Sequence, residues 1–235
     1  MSGTLYGLGV GPGDPELLTL KAVRILGLVP VIAYPAPDLG DSLARAIAAP
    51  HIPDGRVEIV IRTPMLPGNF PANDVYDHYA EKIGGQLSVG RDVAVLCEGD
   101  PFLFGSFMYL FERLSVNHPV EVVPGVSSIG ACAAAAGVPL ASRNQVLSVI
   151  PAPLAEDELE TRISSSPAAA IMKVGRNLGK VRRVLNRLNL TAGAWYIERA
   201  TLPGQKVIKL ADLDLDTAPY FSMILVRACE AEASG

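Results

Sequence analysis

The feature that most constrains the fold is the alternation of short apolar segments with longer helical ones in the first half of the chain. The predicted strands are Leu5–Val10, Val29–Tyr34, Val57–Ile61, Asp92–Cys97 and Val120–Val123. The predicted helices are Pro15–Leu28, which Asp14 would cap, Ser42–Ala49, Asn73–Leu87 and Leu103–Leu114. Short apolar strands that alternate with helices are typical of a parallel sheet covered on both faces.

The second half of the chain has a different pattern. Ala168–Met172 and Ala194–Ile197 are predicted strands on either side of a helix at Leu178–Leu188. Two more strands, Lys206–Leu210 and Tyr220–Val226, follow with no room for a helix between them, which indicates a mixed sheet that ends in an antiparallel hairpin. The sequence therefore predicts an α/β protein with two domains, residues 1–124 with a parallel sheet and residues 125–235 with a mixed sheet.

Composition and charge exclude several classes of protein. With 235 residues, 49% of them hydrophobic, and a net charge of −4, the chain is expected to be globular and not to bind nucleic acid through bulk electrostatics. No charged and apolar leader begins the chain, and the longest apolar run, Ile129–Ala141, is too short to span a bilayer. We therefore expect a cytoplasmic protein without a membrane segment.

Cysteine and histidine are too sparse for a metal site or a disulfide framework. The chain has three of each, with no metal-ligand spacing among them. They are Cys97, Cys132, Cys229, His51, His78 and His118.

A glycine-rich segment, Gly7–Asp14, closes the first predicted strand. Glycine lets backbone approach a ligand closely, but no frame gives the G-x-G-x-x-G pattern of dinucleotide-binding proteins. Pro12 has no N–H to offer a phosphate, and the second strand ends at Tyr34 and Pro35 where that fold would place an acid. No Gly-Lys-Ser/Thr follows, so the segment is not a P-loop. Taken alone, it is equally well explained as a strand–helix turn.

Two more turns follow the fourth and fifth predicted strands. Gly99 allows close backbone approach, and the carboxylate of Asp100 is able to bind a hydroxyl or a cation. In the segment Pro124–Ser128, either serine is a suitable cap for the next helix. Each segment could be only a turn, but parallel strands bring all three to one edge of the sheet, which favours a shared ligand cleft.

These three segments, in this order and at these spacings, resemble the tetrapyrrole methylases. The resemblance covers nearly the whole chain. It implies two α/β domains with S-adenosylmethionine in the cleft between them, a fold different from that of most methyltransferases, and usually a homodimer.

Three further segments, Arg62–Met65, Tyr196–Thr201 and Pro219–Val226, resemble the branch of the family that methylates precorrin-2 at its C-20 bridging carbon in cobalamin biosynthesis. The products expected from this resemblance are precorrin-3A and S-adenosylhomocysteine. Methylation of the cobalt-loaded precursor, or at another ring position, stays open. The broken fingerprint disfavours a nicotinamide oxidoreductase, and three converging loops disfavour a nucleotide-sensing module.

The resemblance also assigns the residues that contact the cofactor. Met172 could equally be plain strand core if taken alone. The cofactor residues are Pro12, Glu98, Gly99, Asp100, Leu103, Ser127, Ser128, Met172 and Ala200.

One position departs from the family pattern. Relatives that make the first two ring methylations carry an acid after the tyrosine that ends strand two, whereas this chain has Pro35. A base role at that position is therefore excluded, which fits a different methylation site.

Methyl transfer from a sulfonium needs positioning and exclusion of water more than it needs reactive side chains. Glu198 is the one candidate base, and a structural ion pair is an equally good reading of it. The arginines proposed to bind substrate carboxylates are Arg62, Arg143 and Arg199, whereas the basic residues of 180–187 are expected to form a solvated helix face. The proline-rich segment Thr63–Ala72 is predicted to be a loop over the cleft.

Overall fold

A computed structural model describes residues 2–63 and 73–227 of the chain. It divides the chain into two compact units, residues 1–127 and 128–235, so the division falls slightly beyond the predicted position near residue 124. Most of the predicted loop Thr63–Ala72 lies outside the described residues. Within the described ranges, no helix is long and apolar enough to cross a membrane.

The first unit contains a parallel sheet, as the alternation predicts. Its strand order is β3-β2-β4-β1-β5, and every neighbouring pair is parallel. The strands are β1 Leu5–Gly9, β2 Val31–Pro37, β3 Val57–Thr63, β4 Val93–Cys97 and β5 Val120–Val123. The helices are α1 Leu20–Leu26, α2 Leu43–Ala48, α3 Asn73–Ser88 and α4 Phe107–Leu114.

Helices cover both faces of this sheet. Buried residues of α1 and α2, such as Ile25 and Ile47, pack on one face. Buried residues of α3 and α4, such as Ile83 and Leu110, pack on the other. The adjacent strands β1 and β4 therefore lead to helices on opposite faces. In open α/β sheets, ligands bind outside the carboxyl ends of the strands at such a point.

Three predicted boundaries in this unit are wrong by three residues or more. The helix predicted at Pro15–Leu28 is broken, because Thr19 has an extended backbone and its hydroxyl caps α1 by accepting from the backbone N of Ala22 at 3.2 Å. Asp14 instead caps a short 3-10 turn that begins at Pro15. Strand β2 continues past Tyr34 to Pro37 because β3 pairs with it along its whole length. Helix α4 begins at Phe107, not Leu103, after a turn in which Phe104 has a φ of +58°.

The second unit contains the predicted mixed sheet, in the order β6-β7-β10-β8-β9. Strands β6 and β7 are parallel, and the other neighbours are antiparallel. Helices α6 and α7 pack on one face and α5 on the other. The strands are β6 Leu147–Pro151, β7 Ala168–Met172, β8 Ala194–Glu198, β9 Lys206–Lys209 and β10 Ser222–Arg227, and the helices are α5 Ser128–Ala136, α6 Glu156–Ser164 and α7 Leu178–Arg187.

The predicted terminal hairpin is wrong. Strand β9 pairs with β8, whereas β10 inserts between β7 and β8. The reason is burial on both faces: Ile224 packs on the side of α6 and α7, and Leu225 packs on the side of α5. A strand with no polar face is stable in the middle of a sheet and costly at its edge.

Ion pairs fasten α7 to α6. Arg183 contacts Glu156 at 2.8 Å, and Arg187 contacts Glu156 at 2.8 Å and Glu160 at 2.7 Å. Hydrogen bonds from Arg183 and Arg187 lower the pKa of Glu156 to about 2. Two of the basic residues of α7 are therefore exposed and paired with α6, as predicted for a surface face, whereas Lys180 and Arg182 are half-buried and donate to the carbonyls of Leu154 and Leu215.

Gly7 of β1 offers a test of packing in the first unit. A Cβ at this position would lie 2.4 Å from Cε1 of Phe107, a side chain that is completely buried. We expect Gly7→Ala to lower the free energy of unfolding by about 1–3 kcal/mol through overpacking, with part of the loss restored by Phe107→Leu. Urea unfolding of the two single variants and the double variant measures both effects.

Gly130 of α5 is the matched control, because nothing lies within 4 Å of a Cβ built there. Gly130→Ala should be neutral or slightly stabilising, since alanine favours helix. Equal losses at Gly7 and Gly130 would contradict the packing explanation.

Candidate functional site

The loops that follow β1 and β4 are joined directly through their backbones. The N–H of Gly11 donates to the carbonyl of Gly99 at 3.3 Å, and the N–H of Gly99 donates to the carbonyl of Gly11 at 2.8 Å. Gly11 has a φ of +77° and Gly99 a φ of +66°, conformations that strain most other residues. Two of the predicted turns are therefore one connected structure at the sheet edge.

The third turn, after β5, packs against the same structure without space for side chains. A Cβ on Gly9 would lie 2.5 Å from the Cα of Gly125. A Cβ on Gly125 would lie 2.0 Å from the carbonyl oxygen of Gly99. Real Cβ atoms do not come this close to backbone, so Gly9 and Gly125 are required for the three loops to meet.

Asp100 fastens two of these loops with its carboxylate. Its Oδ1 accepts from the backbone N of Phe102 at 2.9 Å, and its Oδ2 accepts from the backbone N of Gly125 at 3.1 Å. The sequence indicates a carboxylate that is free to bind a hydroxyl or a cation. In the structure, both oxygens already bind backbone amides, so Asp100 holds the loop after β4 against the loop after β5.

Glu98 precedes these residues and is partly buried. Burial raises the pKa of its carboxyl group, and a backbone hydrogen bond at Ala44, near the start of α2, opposes the shift. The ionised form is therefore held at some cost in stability, beside the loops that contain the predicted cofactor residues.

The remaining predicted residues that follow β1, β4 and β5 are Pro12, Leu103, Ser127 and Ser128. Pro12 is half-buried in the loop after β1. Leu103 is 38% exposed, between the exposed side chains of Phe102 and Phe104. Ser127 directly precedes α5, and Ser128 is the first residue of that helix, which belongs to the second unit.

In the second unit, the predicted residues gather at one edge of the mixed sheet. Met172 ends β7, Glu198 ends β8, and the buried Ala200 follows it. Strand β10 runs antiparallel to both and begins there, with Ser222 in register with Glu198.

The backbone is strained at this edge. Lys173, Arg199 and Thr201 all have a positive φ, at 55°, 51° and 65°. Non-glycine residues held in this region often mark ligand-binding loops.

Glu198 is fixed by polar neighbours. It is 7% exposed, accepts a hydrogen bond from the hydroxyl of Tyr196 at 2.9 Å, and lies 3.5 Å from Nζ of Lys206. Burial and the bond to Glu198 raise the pKa of Tyr196. The sequence offered two roles for Glu198, a structural ion pair and a general base. The structure contains the ion pair, and the base role stays a prediction. Tyr196 was missed, although its position two residues from Glu198 on a strand places both on one face.

The three predicted substrate arginines are all exposed, but they differ in their surroundings. The Nη1 of Arg62 donates to the carbonyls of Pro37 at 2.6 Å and Gly40 at 3.0 Å, so it also fixes the loop after β2. Arg143 lies in the segment between α5 and β6. Arg199 directly follows β8.

Tyr34 and Pro35 lie inside β2 and not at its end. Pro35 is in register with Ile61 of β3. The hydroxyl of Tyr34 donates to Glu58, which also pairs with Arg45 at 3.0 Å. Burial and the bond to Glu58 raise the pKa of Tyr34 to about 12. Neither residue therefore supplies a base at neutral pH.

The chain matches known proteins over almost its whole length. Residues 4–214 match the family model of the tetrapyrrole (corrin/porphyrin) methylases. It is 43% identical over 232 residues to a precorrin-2 C(20)-methyltransferase of Sinorhizobium sp, with 95% of each chain covered. It is 33% identical over 230 residues to a cobalt-precorrin-2 C(20)-methyltransferase of Salmonella typhimurium, with 97% of each covered.

A longer relative is the cobalamin biosynthesis protein CobIJ of Mycobacterium tuberculosis, 41% identical over 232 residues. The match covers 95% of this chain but 46% of that protein, so the chain spans just under half of its length.

Solved structures share the fold. The cobalt precorrin-4 methyltransferase CbiF has a TM-score of 0.74 at 24% identity, covering 95% of this chain and 94% of CbiF. The uroporphyrin III C-methyl transferase of Thermus thermophilus has a TM-score of 0.71 at 25% identity, covering 95% of this chain and 97% of that one.

The raised pKa of Glu98 predicts that this residue lowers the free energy of unfolding by an amount that depends on pH. An acid whose folded pKa exceeds its ordinary value of 4.5 destabilises the protein as pH rises through that value, and costs nothing below it. We expect Glu98→Gln to be more stable than wild type at neutral pH, with the difference vanishing below about pH 4. Urea midpoints across this range measure it, with the exposed Glu112→Gln of α4 as control. A difference independent of pH would contradict the burial explanation.

The Asp100 clamp makes a second prediction. Asp100→Ala leaves the amides of Phe102 and Gly125 without their acceptor and should cost about 1–3 kcal/mol of unfolding free energy. Asp100→Asn keeps one carbonyl acceptor and should lose roughly half as much. Equal stability of all three proteins would show that the clamp contributes nothing to the fold.

Proposed function

The chain belongs to the tetrapyrrole methylases, and we propose that it is an S-adenosylmethionine-dependent methyltransferase acting on precorrin-2. The methyl group goes to the C-20 bridging carbon, giving precorrin-3A and S-adenosylhomocysteine in cobalamin biosynthesis. The relative from Sinorhizobium supports this acceptor, because it matches at 43% identity over nearly all of both chains.

The observation that carries the methyl-transfer assignment is the junction of three glycine loops at the carboxyl edge of the parallel sheet. Gly9 and Gly125 have no room for a Cβ, and Gly11 and Gly99 have positive φ. The result is bare backbone beyond the carboxyl ends of β1 and β4, the part of such sheets that holds small ligands. These residues fit a nucleoside-containing cofactor without a phosphate-binding glycine pattern.

We assign the cofactor contacts to residues at the edges of the two sheets. In the first unit, Asp100 acts mainly by fixing the loops, while Leu103 and its neighbours offer exposed atoms for contact. In the second unit, Met172 and Ala200 are the proposed contacts. The full set is Pro12, Glu98, Gly99, Asp100, Leu103, Ser127, Ser128, Met172 and Ala200.

S-adenosylmethionine supplies an activated methyl group on its sulfonium, and a bridging carbon of a reduced tetrapyrrole is already nucleophilic. The chain therefore has to orient the acceptor and exclude water. The titratable groups support a role for the chain in orientation and not in acid–base chemistry. Tyr34 has a pKa of about 12, and Glu198 is engaged by Tyr196 and Lys206. Arg199, Arg62 and Arg143 are the proposed partners of the substrate carboxylates.

The cobalt-loaded precursor is the second candidate substrate. The relative from Salmonella, which matches at 33% identity, carries that substrate in its name. The metal-free substrate is preferred because the relative named for it matches at 43% identity.

The proposal includes a homodimer, which the family resemblance supports, and a cytoplasmic location, which stays an expectation from the sequence. An apolar C-terminal strand in need of burial gives no further support for a dimer, because β10 lies between β7 and β8 of its own sheet.

The proposed reaction is tested with methyl-labelled S-adenosylmethionine and with metal-free and cobalt-loaded precursors. Carbon NMR of the product should place the label on the bridging carbon, with faster turnover of the metal-free substrate. A label on a pyrrole-ring carbon would show that the acceptor assignment is wrong.

Cofactor choice is tested by calorimetry. S-adenosylhomocysteine should bind and NADH should not, because the first loop lacks the third glycine of a dinucleotide fingerprint and places Pro12 in the turn. Tight binding of NADH without binding of S-adenosylhomocysteine would overturn the proposal.

A further inference from the structure

Two adjacent aromatic side chains stand exposed at the edge of the mixed sheet, where β7 and β8 end and β10 begins. Tyr220 is 63% exposed and Phe221 is 40% exposed, and their rings meet edge to face with centroids 4.9 Å apart. Large apolar side chains that cluster on a surface mark binding sites far more often than single exposed ones do.

The backbone beneath the two rings is held in place. The N–H of Ser222 donates to the carbonyl of Tyr220 at 3.0 Å, and its hydroxyl donates to the carbonyl of Pro219 at 2.7 Å. The N–H of Arg199 donates to the carbonyl of Phe221 at 2.9 Å. A surface ordered before a ligand arrives loses little conformational freedom on binding, which favours affinity.

Two cationic residues lie at the same edge of the sheet as this pair. Arg199 is exposed and is bonded through its backbone to Phe221. Lys173 is exposed and follows β7, the strand beside β10. Both are held with a positive φ, which fixes where their side chains start. Exposed aromatic rings with cationic residues at the same edge suit a flat molecule that carries several carboxylates.

We propose that Tyr220 and Phe221 form the surface on which the acceptor macrocycle rests, with Arg199 and Lys173 pairing with carboxylates on its rim. The inference rests on the proposed function and names the substrate contacts of that site. A macrocycle fits better than the adenine of the cofactor. Its carboxylates surround the ring, whereas the single carboxylate of S-adenosylmethionine lies at the far end from the adenine.

The test compares Tyr220→Ala and Phe221→Ala with Tyr220→Phe, which keeps the ring. Each alanine variant should raise the KM for precorrin-2 roughly tenfold, the loss of one stacking contact, and leave the KM for S-adenosylmethionine unchanged. Tyr220→Phe should behave like wild type. Fluorescence titration with uroporphyrin III, a metal-free octacarboxylate, should show the same order of affinities without turnover.

Arg199→Gln adds the electrostatic arm of the test. It should weaken uroporphyrin binding and reduce the dependence of that binding on salt. Leu28→Ala, at a side chain 68% exposed in the first unit, is the matched control and should leave every constant unchanged.

Three results would overturn the proposal. A rise in the KM for S-adenosylmethionine would assign the rings to the cofactor. A change in the mass measured by light scattering, with the tetrapyrrole constants unchanged, would assign them to a subunit contact. Unchanged values throughout would assign them no role. A wild-type protein that fails to methylate precorrin-2 defeats the proposed function separately, and the uroporphyrin titration still tests the aromatic surface.

Discussion

The candidate site depends on backbone packed directly against backbone after β1, β4 and β5. Gly9, Gly99 and Gly125 meet so closely that no Cβ fits on Gly9 or Gly125. A parallel sheet brings these three strand ends side by side, and the paired hydrogen bonds of Gly11 and Gly99 then lock two loops into a short bridge. The sheet edge beyond β1 and β4 is therefore formed by main chain that is held in place by main chain.

The second unit forms its edge by other means. There, non-glycine residues are held in the left-handed region, and side chains stabilise them: Gln205 accepts from the backbone N of Thr201 at 2.7 Å, and Glu198 bonds to Tyr196. Strain of this kind costs stability and persists only where the surroundings enforce it. The edge of the parallel sheet is thus shaped by glycines that lack side chains, and the edge of the mixed sheet by hydrogen bonds of side chains. A glycine pattern in the sequence therefore reveals only the first edge.

The titratable groups described at the candidate site are largely engaged by other groups of the protein, which suits the proposed methyl transfer. Tyr34 is bonded to Glu58, and both oxygens of Asp100 accept from backbone amides. An enzyme that needed a strong general base would keep such a group near neutral pKa and within reach of its substrate. In this chain Asp100 holds two loops together and Glu198 is engaged by Tyr196 and Lys206, an arrangement that suits a reaction driven by orientation.

The sequence by itself determined the α/β class, the parallel sheet of the first unit and the mixed sheet of the second. Strand and helix periodicity and the order of the segments are local properties, so they can be read directly. The three glycine segments also predicted that their loops share one edge, because parallel strands leave no other arrangement. Boundaries were less certain, since Thr19 caps a helix inside what looks like a continuous helical run.

Only the tertiary structure decided which strands are neighbours and what each polar group binds. Strand β10 does not pair with β9 as the sequence predicts. It lies between β7 and β8, because burial on both faces favours a central position over an edge. Asp100 looks like a ligand in the sequence and is a clamp in the fold, because its partner Gly125 is distant in the chain and adjacent in space. Which strands pair depends on how much apolar surface the whole unit buries. A short stretch of sequence does not show this, because the residues that bury one another are distant in the chain.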